Sequence, residues 1–141
     1  MDTDTSSSFS IYRSSAGSGK TYRLAIEFIS LAIQDPNLFN KILAVTFTNK
    51  ATKEMKERIL DFLIELSTGK KGYILVAVQE NTGLSADQVN SNAKLVINKI
   101  LHQYSQFSVS TIDAFFQKIV KSFAKELGLL GNFKVELDQD K

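Results

Sequence analysis

One stretch of the chain decides the fold: Ser14-Ser15-Ala16-Gly17-Ser18-Gly19-Lys20-Thr21. An apolar run, Phe9-Ser10-Ile11-Tyr12, precedes it, and an amphipathic segment from Tyr22 to Ile33 follows it. A strand, a glycine-rich turn and a helix in that order bring backbone N–H groups and the positive end of the helix dipole to one point, where an anion binds favourably. The sequence therefore predicts a phosphate-binding turn.

The residue types in this turn suit the tail of a nucleoside triphosphate bound together with magnesium. Lys20 supplies a cation for the terminal phosphates and the Thr21 hydroxyl can bind Mg²⁺, so these two are the predicted catalytic residues and Thr21 the predicted metal ligand. The predicted nucleotide-binding set is Ser15, Ala16, Gly17, Ser18, Gly19, Lys20, Thr21 and Tyr22. The alternative is a chance loop with Lys20 as an ordinary solvated lysine, since Ser14 stands where the general pattern has its first glycine.

Length and composition narrow the class of protein. The 141 residues predict one domain, and a hydrophobic fraction of 43% with ten Phe supplies a packed core. The absence of Cys excludes disulfides and cysteine metal sites and fits a reducing compartment, and a single histidine, His102, excludes a His-rich metal site. No apolar stretch approaches the length of a membrane span, so we expect a cytoplasmic protein that binds no membrane. The net charge of +2 carries no argument about partners.

The apolar pattern predicts strands and helices in alternation, which is typical of an α/β fold with a parallel sheet. Strands are predicted at 10–12, 42–47, 107–110 and 133–137, and helices at about 19–34, 50–66 and 112–127. The segment 85–104 is helical in period and 73–79 suits a helix or a strand, so 68–105 is predicted to be a small helical insertion. The run 42–47 is almost continuously apolar, which predicts a strand buried on both faces. Residues 1–8 are predicted to be a disordered lead-in.

Periodicity also predicts which helix faces are buried. The first helix is expected to bury Leu24, Phe28, Leu31 and Ala32. The second carries a further apolar set at helical spacing: Ala51, Met55, Ile59, Phe62 and Leu63. The segment Ser110-Thr111-Ile112-Asp113 resembles a capping box that starts the last helix. This helix carries a full apolar stripe, which predicts that Phe115, Phe116 and Phe123 lie in the core, and Gly128 is expected to end it.

A second polar motif follows the predicted strand at 42–47. Phe47, Thr48 and Asn49 lie where the strand ends and the next helix begins, the edge at which open α/β sheets bind ligands. An exposed aromatic ring flanked by small hydrogen-bonding groups can stack a nucleobase and hold a phosphate. The equally supported alternative places Phe47 in the core and leaves Thr48 or Asn49 to cap the helix.

Taken in order, these motifs resemble the start of a superfamily 1 DNA helicase of the UvrD/Rep type, in the RecB/AddA-like helicase–nuclease branch. The segment from Ser15 to Thr21 is similar to the first motif of that family, which also lacks the first glycine. The segment from Ile42 to Ile59 matches motif Ia almost throughout, and the segment from Val109 to Phe116 resembles a third. Asp113 departs from the histidine of many relatives, and Tyr22 stands where UvrD-type members often have arginine.

The resemblance implies a fold, ligands and partners. It implies a RecA-like P-loop NTPase with a three-layer, partial parallel sheet, divided into core at 9–67, a helical insertion at 68–105 and further core at 106–141. It implies ATP and Mg²⁺ at the glycine turn, and single- or double-stranded DNA as partner, together with a partner nuclease subunit. DNA contacts are implied for Phe47, Thr48, Asn49 and Thr111.

Hydrolysis needs acidic and arginine groups that the resemblance places further along than residue 141. No Asp-Glu pair follows an apolar strand here, so we expect an incomplete domain that binds nucleotide without efficient hydrolysis. Two alternatives stay open at this point. One is a non-catalytic DNA-binding or assembly module, and the other is a small P-loop kinase, for which the arginines Arg13, Arg23 and Arg58 provide no plausible lid.

Overall fold

The computed structural model describes residues 19–128, which form five α-helices and a two-stranded sheet. The helices are α1 Lys20–Gln34, α2 Asn49–Ser67, α3 Tyr73–Thr82, α4 Ala86–His102 and α5 Ile112–Glu126. The strands are β1 Ala44–Thr46 and β2 Val109–Thr111, and short 3₁₀ helices span Pro36–Lys41 and Tyr104–Gln106. The predicted strands at 10–12 and 133–137, the lead-in at 1–8 and the turn residues Ser15 to Ser18 lie outside the described residues.

The sheet is parallel, as the sequence predicts, but it is small. Ala44 of β1 pairs with Val109 of β2, and Thr46 pairs with Thr111. The prediction that the strand at 42–47 is buried on both faces is wrong for the described residues, because Leu43 is 45% exposed and Val45 43% exposed. The described chain is therefore mostly helical around a two-stranded sheet, and the three-layer P-loop arrangement stays a prediction.

One hydrophobic core joins the first four helices and the sheet. Helix α2 lies between α1 and α4 and contacts both, while α3 packs against α1 and α4. The predicted periodicity of α2 is confirmed, since Met55, Ile59 and Leu63 are all buried. Residues of α3 and α4 belong to the same core as those of α1 and α2. The division into core and insertion at residue 68 stays a prediction.

Helix α1 buries a different face from the one expected. Phe28 and Ala32 are buried as predicted, but Leu24 is 50% exposed and Leu31 is 53% exposed. The residues buried in their place are Ala25, Ile26, Ile29 and Ile33. Helices α2, α3 and α4 all contact α1, so its covered surface is wide and is centred away from the stripe that the large leucines suggest.

Side-chain amides of α4 hold the ends of two other helices. The Asn92 Nδ2 donates to the Ile33 carbonyl at 2.8 Å, near the end of α1. The Asn90 Nδ2 donates to the carbonyls of Leu66 and Ser67 at 2.9 and 2.8 Å, at the end of α2. The last carbonyls of a helix have no partner within it, so the bonds to Ile33 and Ser67 satisfy such groups, while the Leu66 carbonyl also accepts from the Gly69 backbone N at 3.1 Å.

Helix α5 departs most from expectation. None of its residues is buried, and Phe116 and Phe123 are 55% and 61% exposed. The prediction that Phe115, Phe116 and Phe123 lie in the core is therefore wrong for the described residues, where Phe115 is only half-buried. Within residues 19–128 the main element contacts of α5 are with β1 and β2, and no described helix packs extensively on its apolar stripe. Gly128 follows the helix with a φ of 67°, which supports the predicted end.

The predicted capping box at the start of α5 is also wrong. The N-cap is Thr111, whose Oγ1 accepts from the Ala114 backbone N at 3.1 Å. Ser110 instead belongs to β2, which places Ala114 rather than Asp113 at the third helical position, where its methyl group cannot complete a box. Within residues 19–128 no helix has the length and apolar character needed to span a bilayer.

Candidate functional site

The start of α1 has the backbone that an anion site requires. Gly19 precedes the helix with φ 84° and ψ 12°, a left-handed conformation that strains any residue with a Cβ. In the described part of the chain no side chain caps this helix, and its first turn carries no acidic residue. The first N–H groups of a helix have no partner within it, and donors of this kind suit a phosphate.

The side chains of this first turn have different surroundings. Lys20 is exposed, and Thr21 is half-buried. The Tyr22 ring packs edge to face on Phe62 of α2, with ring centroids 5.3 Å apart. Tyr22 therefore anchors the start of α1, and its predicted contact with nucleotide stays a prediction, as do those of the other residues of the turn.

The four residues for which DNA contact was predicted lie at the carboxyl end of the parallel sheet. Phe47, Thr48 and Asn49 follow β1 directly, and Thr111 ends β2. The pairing of Thr46 with Thr111 sets the two strand ends side by side. The parallel register thus gathers residues more than sixty positions apart at one edge.

Phe47 is 87% exposed, although it immediately follows a strand. This exposure rules out the alternative in which the ring packs in the core. The other half of that alternative holds, because the Thr48 Oγ1 accepts from the Ala51 backbone N at 3.0 Å and caps α2. One residue of the motif is therefore presented to solvent while its neighbour fixes the helix behind it.

A hydroxyl network holds this edge in place. The Oγ1 atoms of Thr46 and Thr52 lie 2.6 Å apart, and the Thr52 Oγ1 donates to the Thr48 carbonyl at 3.1 Å. The end of β1 and the first turn of α2 are therefore tied together on the two sides of Phe47 in the chain. Sequence reasoning assigned no role to Thr46 or Thr52, although threonines at 48 and 52 lie four residues apart, one helical turn.

A groove runs along α2 from this edge. It has a volume of about 370 Å³ and is lined by Asn49, Thr52, Lys53, Lys56, Glu57, Leu60 and Tyr104. The Lys56 Nζ lies 5.4 Å from the centroid of the Tyr104 ring and 6.0 Å from that of Phe107. We call this feature the α2 groove. In the sequence, Lys50, Lys53 and Lys56 indicate a solvated helix face, and the contact of Lys56 with Tyr104 depends on the tertiary fold.

The structure does not bring all the predicted site residues into one place. Tyr22, in the first turn of α1, packs on Phe62, whereas Asn49 begins α2. These two points of α2 are thirteen residues apart, which is about 20 Å of helix. In the described chain the first turn of α1 thus meets the C-terminal half of α2, and the predicted DNA residues Phe47, Thr48 and Asn49 lie at the start of α2.

Comparison with known proteins bears on the family. Residues 4–141 match the UvrD/REP helicase N-terminal domain. The chain is 33% identical over 119 residues to the RecBCD enzyme subunit RecB of Borreliella burgdorferi, covering 83% of this chain and 10% of that protein. It is 26% identical over 125 residues to an ATP-dependent helicase/nuclease subunit of Streptococcus pyogenes, covering 89% of this chain and 9% of that protein.

A shorter match has higher identity. The ATP-dependent DNA helicase PcrA of Leuconostoc citreum is 55% identical over 51 residues, which are 36% of this chain and 7% of that protein. The chain therefore spans a tenth or less of the length of these curated relatives. No solved structure matches it. The resemblance recognised in the sequence is confirmed by these matches.

Proposed function

The chain belongs to the UvrD/REP helicase N-terminal domain family, and we propose on that premise that it forms the ATP-binding and single-strand-contacting part of an ATP-dependent DNA helicase or helicase–nuclease that acts in DNA repair or recombination. Three of its relatives are named as DNA helicases, helicase/nuclease subunits or RecBCD subunits. The single observation that carries the proposal is the exposed Phe47 at the carboxyl edge of the sheet, beside Thr48, Asn49 and Thr111.

The DNA-contacting role follows from the chemistry of that edge. A ring that is 87% exposed costs apolar hydration in the free protein, and stacking on a base removes that cost. Asn49 and Lys50 beside it are exposed and can contact phosphate oxygens, which positions a strand without reading its sequence. The hydroxyl network joins Thr46, Thr48 and Thr52, so it ties together the chain on the two sides of Phe47 from which the ring projects.

The nucleotide role rests on the start of α1. Gly19 in its left-handed conformation, the uncapped first turn and the exposed Lys20 fit the tail of a triphosphate. Thr21 would hold Mg²⁺, which takes few protein ligands and completes its shell with phosphates and water. Bound ATP would supply the phosphoryl group whose transfer to water drives a motor, and Mg²⁺ would neutralise charge on its phosphates. The partner nuclease subunit belongs to the proposal as well, and it rests on the names of the relatives.

Replacing the exposed ring tests the DNA-contacting role. Phe47→Ala should weaken the binding of fluorescein-labelled oligothymidylate by roughly tenfold in an anisotropy titration, because one base–aromatic stack is lost. The variant should melt like the parent protein, since the ring touches little else. Tyr73→Ala is the matched control, because Tyr73 is 90% exposed on α3. If Phe47→Ala and the parent chain bind oligothymidylate with equal affinity, the proposed DNA contact of Phe47 is contradicted.

Removing the lysine of the glycine turn tests the nucleotide role. Lys20→Ala should abolish the binding of a fluorescent ATP analogue in the presence of Mg²⁺, because the terminal phosphates lose their cation. Lys71→Ala, at an exposed lysine of the α2–α3 loop, should leave that binding unchanged. A titration in which Lys20→Ala and the parent protein bind the analogue equally would show that the turn is an ordinary loop.

A further inference from the structure

The α2 groove continues the edge that carries Phe47. Asn49 belongs to both features, and Lys56 lies seven residues further along α2, about 10 Å of helix. Tyr104 comes from the 3₁₀ helix before β2, so the far wall of the groove is supplied by a different part of the chain. Such a groove has a polar end at the sheet edge and an aromatic end at Tyr104.

The Tyr104 ring is held in place and is still accessible. It contacts the buried Phe107 edge to face, with centroids 6.0 Å apart, and Lys56 lies over it at 5.4 Å. The residue nevertheless keeps 53% of its surface exposed. A half-exposed aromatic ring fixed by a cation and a core phenylalanine is a pre-formed surface for stacking a flat apolar group.

The charge along the groove favours an anionic occupant. Lys53 and Lys56 line it, and Lys50 is exposed one turn nearer the sheet edge. Glu57 is the acidic residue of the lining, and its ion pair with Lys53 at 3.8 Å is largely exposed, so it is weak and easily exchanged for a phosphate. An occupant with both anionic groups and flat rings matches these walls better than an acidic peptide does.

We propose that the α2 groove is a second contact for the same single-stranded nucleic acid, in which Tyr104 stacks a base while Lys53 and Lys56 bind backbone phosphates. This inference rests on the proposed function, because the strand would enter over Phe47 and Asn49. The nucleic acid then runs along the α2 groove toward Tyr104. No base is read by hydrogen bonds in this arrangement, so binding is independent of sequence.

The first test replaces Tyr104 in the 141-residue chain and measures anisotropy of labelled oligothymidylate. Tyr104→Ala should weaken binding by about tenfold, and Tyr104→Phe should restore most of the affinity because the ring face is retained. On an abasic oligonucleotide of the same length the two variants and the parent should bind alike. An equal loss on both oligonucleotides would show that Tyr104 does not stack a base and would overturn the proposal.

The second test does not touch the core and therefore stands even if Tyr104→Ala fails to fold. Lys53→Gln should make the fall of log affinity with log salt concentration less steep by about one unit, since one phosphate contact is lost. Lys71→Gln is the matched control and should leave the slope unchanged. An unchanged slope for Lys53→Gln would overturn the assignment of the groove to the nucleic acid backbone.

The outcomes separate the inference from the function beneath it. If Phe47→Ala weakens binding and Tyr104→Ala does not, the groove is not a contact and the proposed function stands. If neither substitution weakens binding, both the groove contact and the proposed DNA-contacting function are contradicted. Shortening the oligonucleotide adds a geometric check, because the effect of Tyr104→Ala should vanish at lengths where the effect of Phe47→Ala persists.

Discussion

At the scale of single residues, Thr48 combines a structural role and a predicted binding role. Its Oγ1 caps α2 through the Ala51 N–H, and its carbonyl accepts from the Thr52 hydroxyl. The residue is itself exposed, beside the ring of Phe47. A substitution at this position therefore tests cap and DNA contact together unless the new side chain is chosen to separate them.

Three substitutions of Thr48 make that separation. Thr48→Ala should lower the free energy of unfolding by about 1 kcal/mol, because the cap is lost. Thr48→Asp keeps a capping oxygen at a helix N-terminus and should stay as stable as the parent, but its negative charge should weaken binding to oligothymidylate. Thr48→Ser is the control that should preserve both properties. Urea unfolding measures the stability and anisotropy measures the affinity for oligothymidylate. If Thr48→Asp binds oligothymidylate as tightly as the parent protein, the DNA does not pass beside Thr48.

The same motif shows how far residue-level prediction reaches. Sequence alone supported both an exposed and a buried Phe47, since an aromatic residue after an apolar strand suits either. Exposure is decided by what covers the strand end, and that depends on residues distant in sequence. Thr52 was missed for the same reason, because its partner Thr46 lies on the strand and the 2.6 Å contact exists only once strand and helix are packed.

At the scale of elements, periodicity predicted α1, α2, α4 and α5, whereas the segment that forms α3 suited a helix or a strand. The predicted buried face of a helix was not always the observed one. In α2 the buried residues lie along one stripe, which includes the predicted positions Met55, Ile59 and Leu63. In α1 three helices cover a wide surface, so the small residue Ala25 is buried while Leu24 is exposed. An apolar stripe indicates which residues share a face of the helix. It does not indicate which part of the helix surface the neighbouring helices cover.

Helix α5 shows the limit of the same reasoning. Its apolar stripe is regular, yet Phe116 and Phe123 are exposed because, among the described elements, its main contacts are with the two short strands. Its cap was misplaced by one residue, since β2 extends through Thr111 and the pairing of that residue with Thr46 decides where the helix can begin. Strand pairing between distant segments is information that a local pattern cannot contain.

At the scale of the whole molecule, stability is concentrated in the core shared by α1 to α4. Ile59 and Leu63 of α2 are fully buried there, and the amides of Asn90 and Asn92 close the helix ends around it. The carboxyl edge of the sheet is built on this core through the first turn of α2. Helix α5 adjoins the sheet alone, so it adds little buried apolar area to the described chain.

This distribution predicts unequal costs for two large-to-small substitutions. Ile59→Ala should lower the free energy of unfolding by about 2–5 kcal/mol, because it leaves a cavity in a fully buried site. Phe123→Ala should change it by no more than about 0.5 kcal/mol, because that ring is 61% exposed. Urea titrations followed by circular dichroism compare the two in the same chain, with Tyr73→Ala as an exposed aromatic control. A loss of several kcal/mol for Phe123→Ala would show that α5 is packed in solution, as its sequence pattern predicts, and would place the helix within the core.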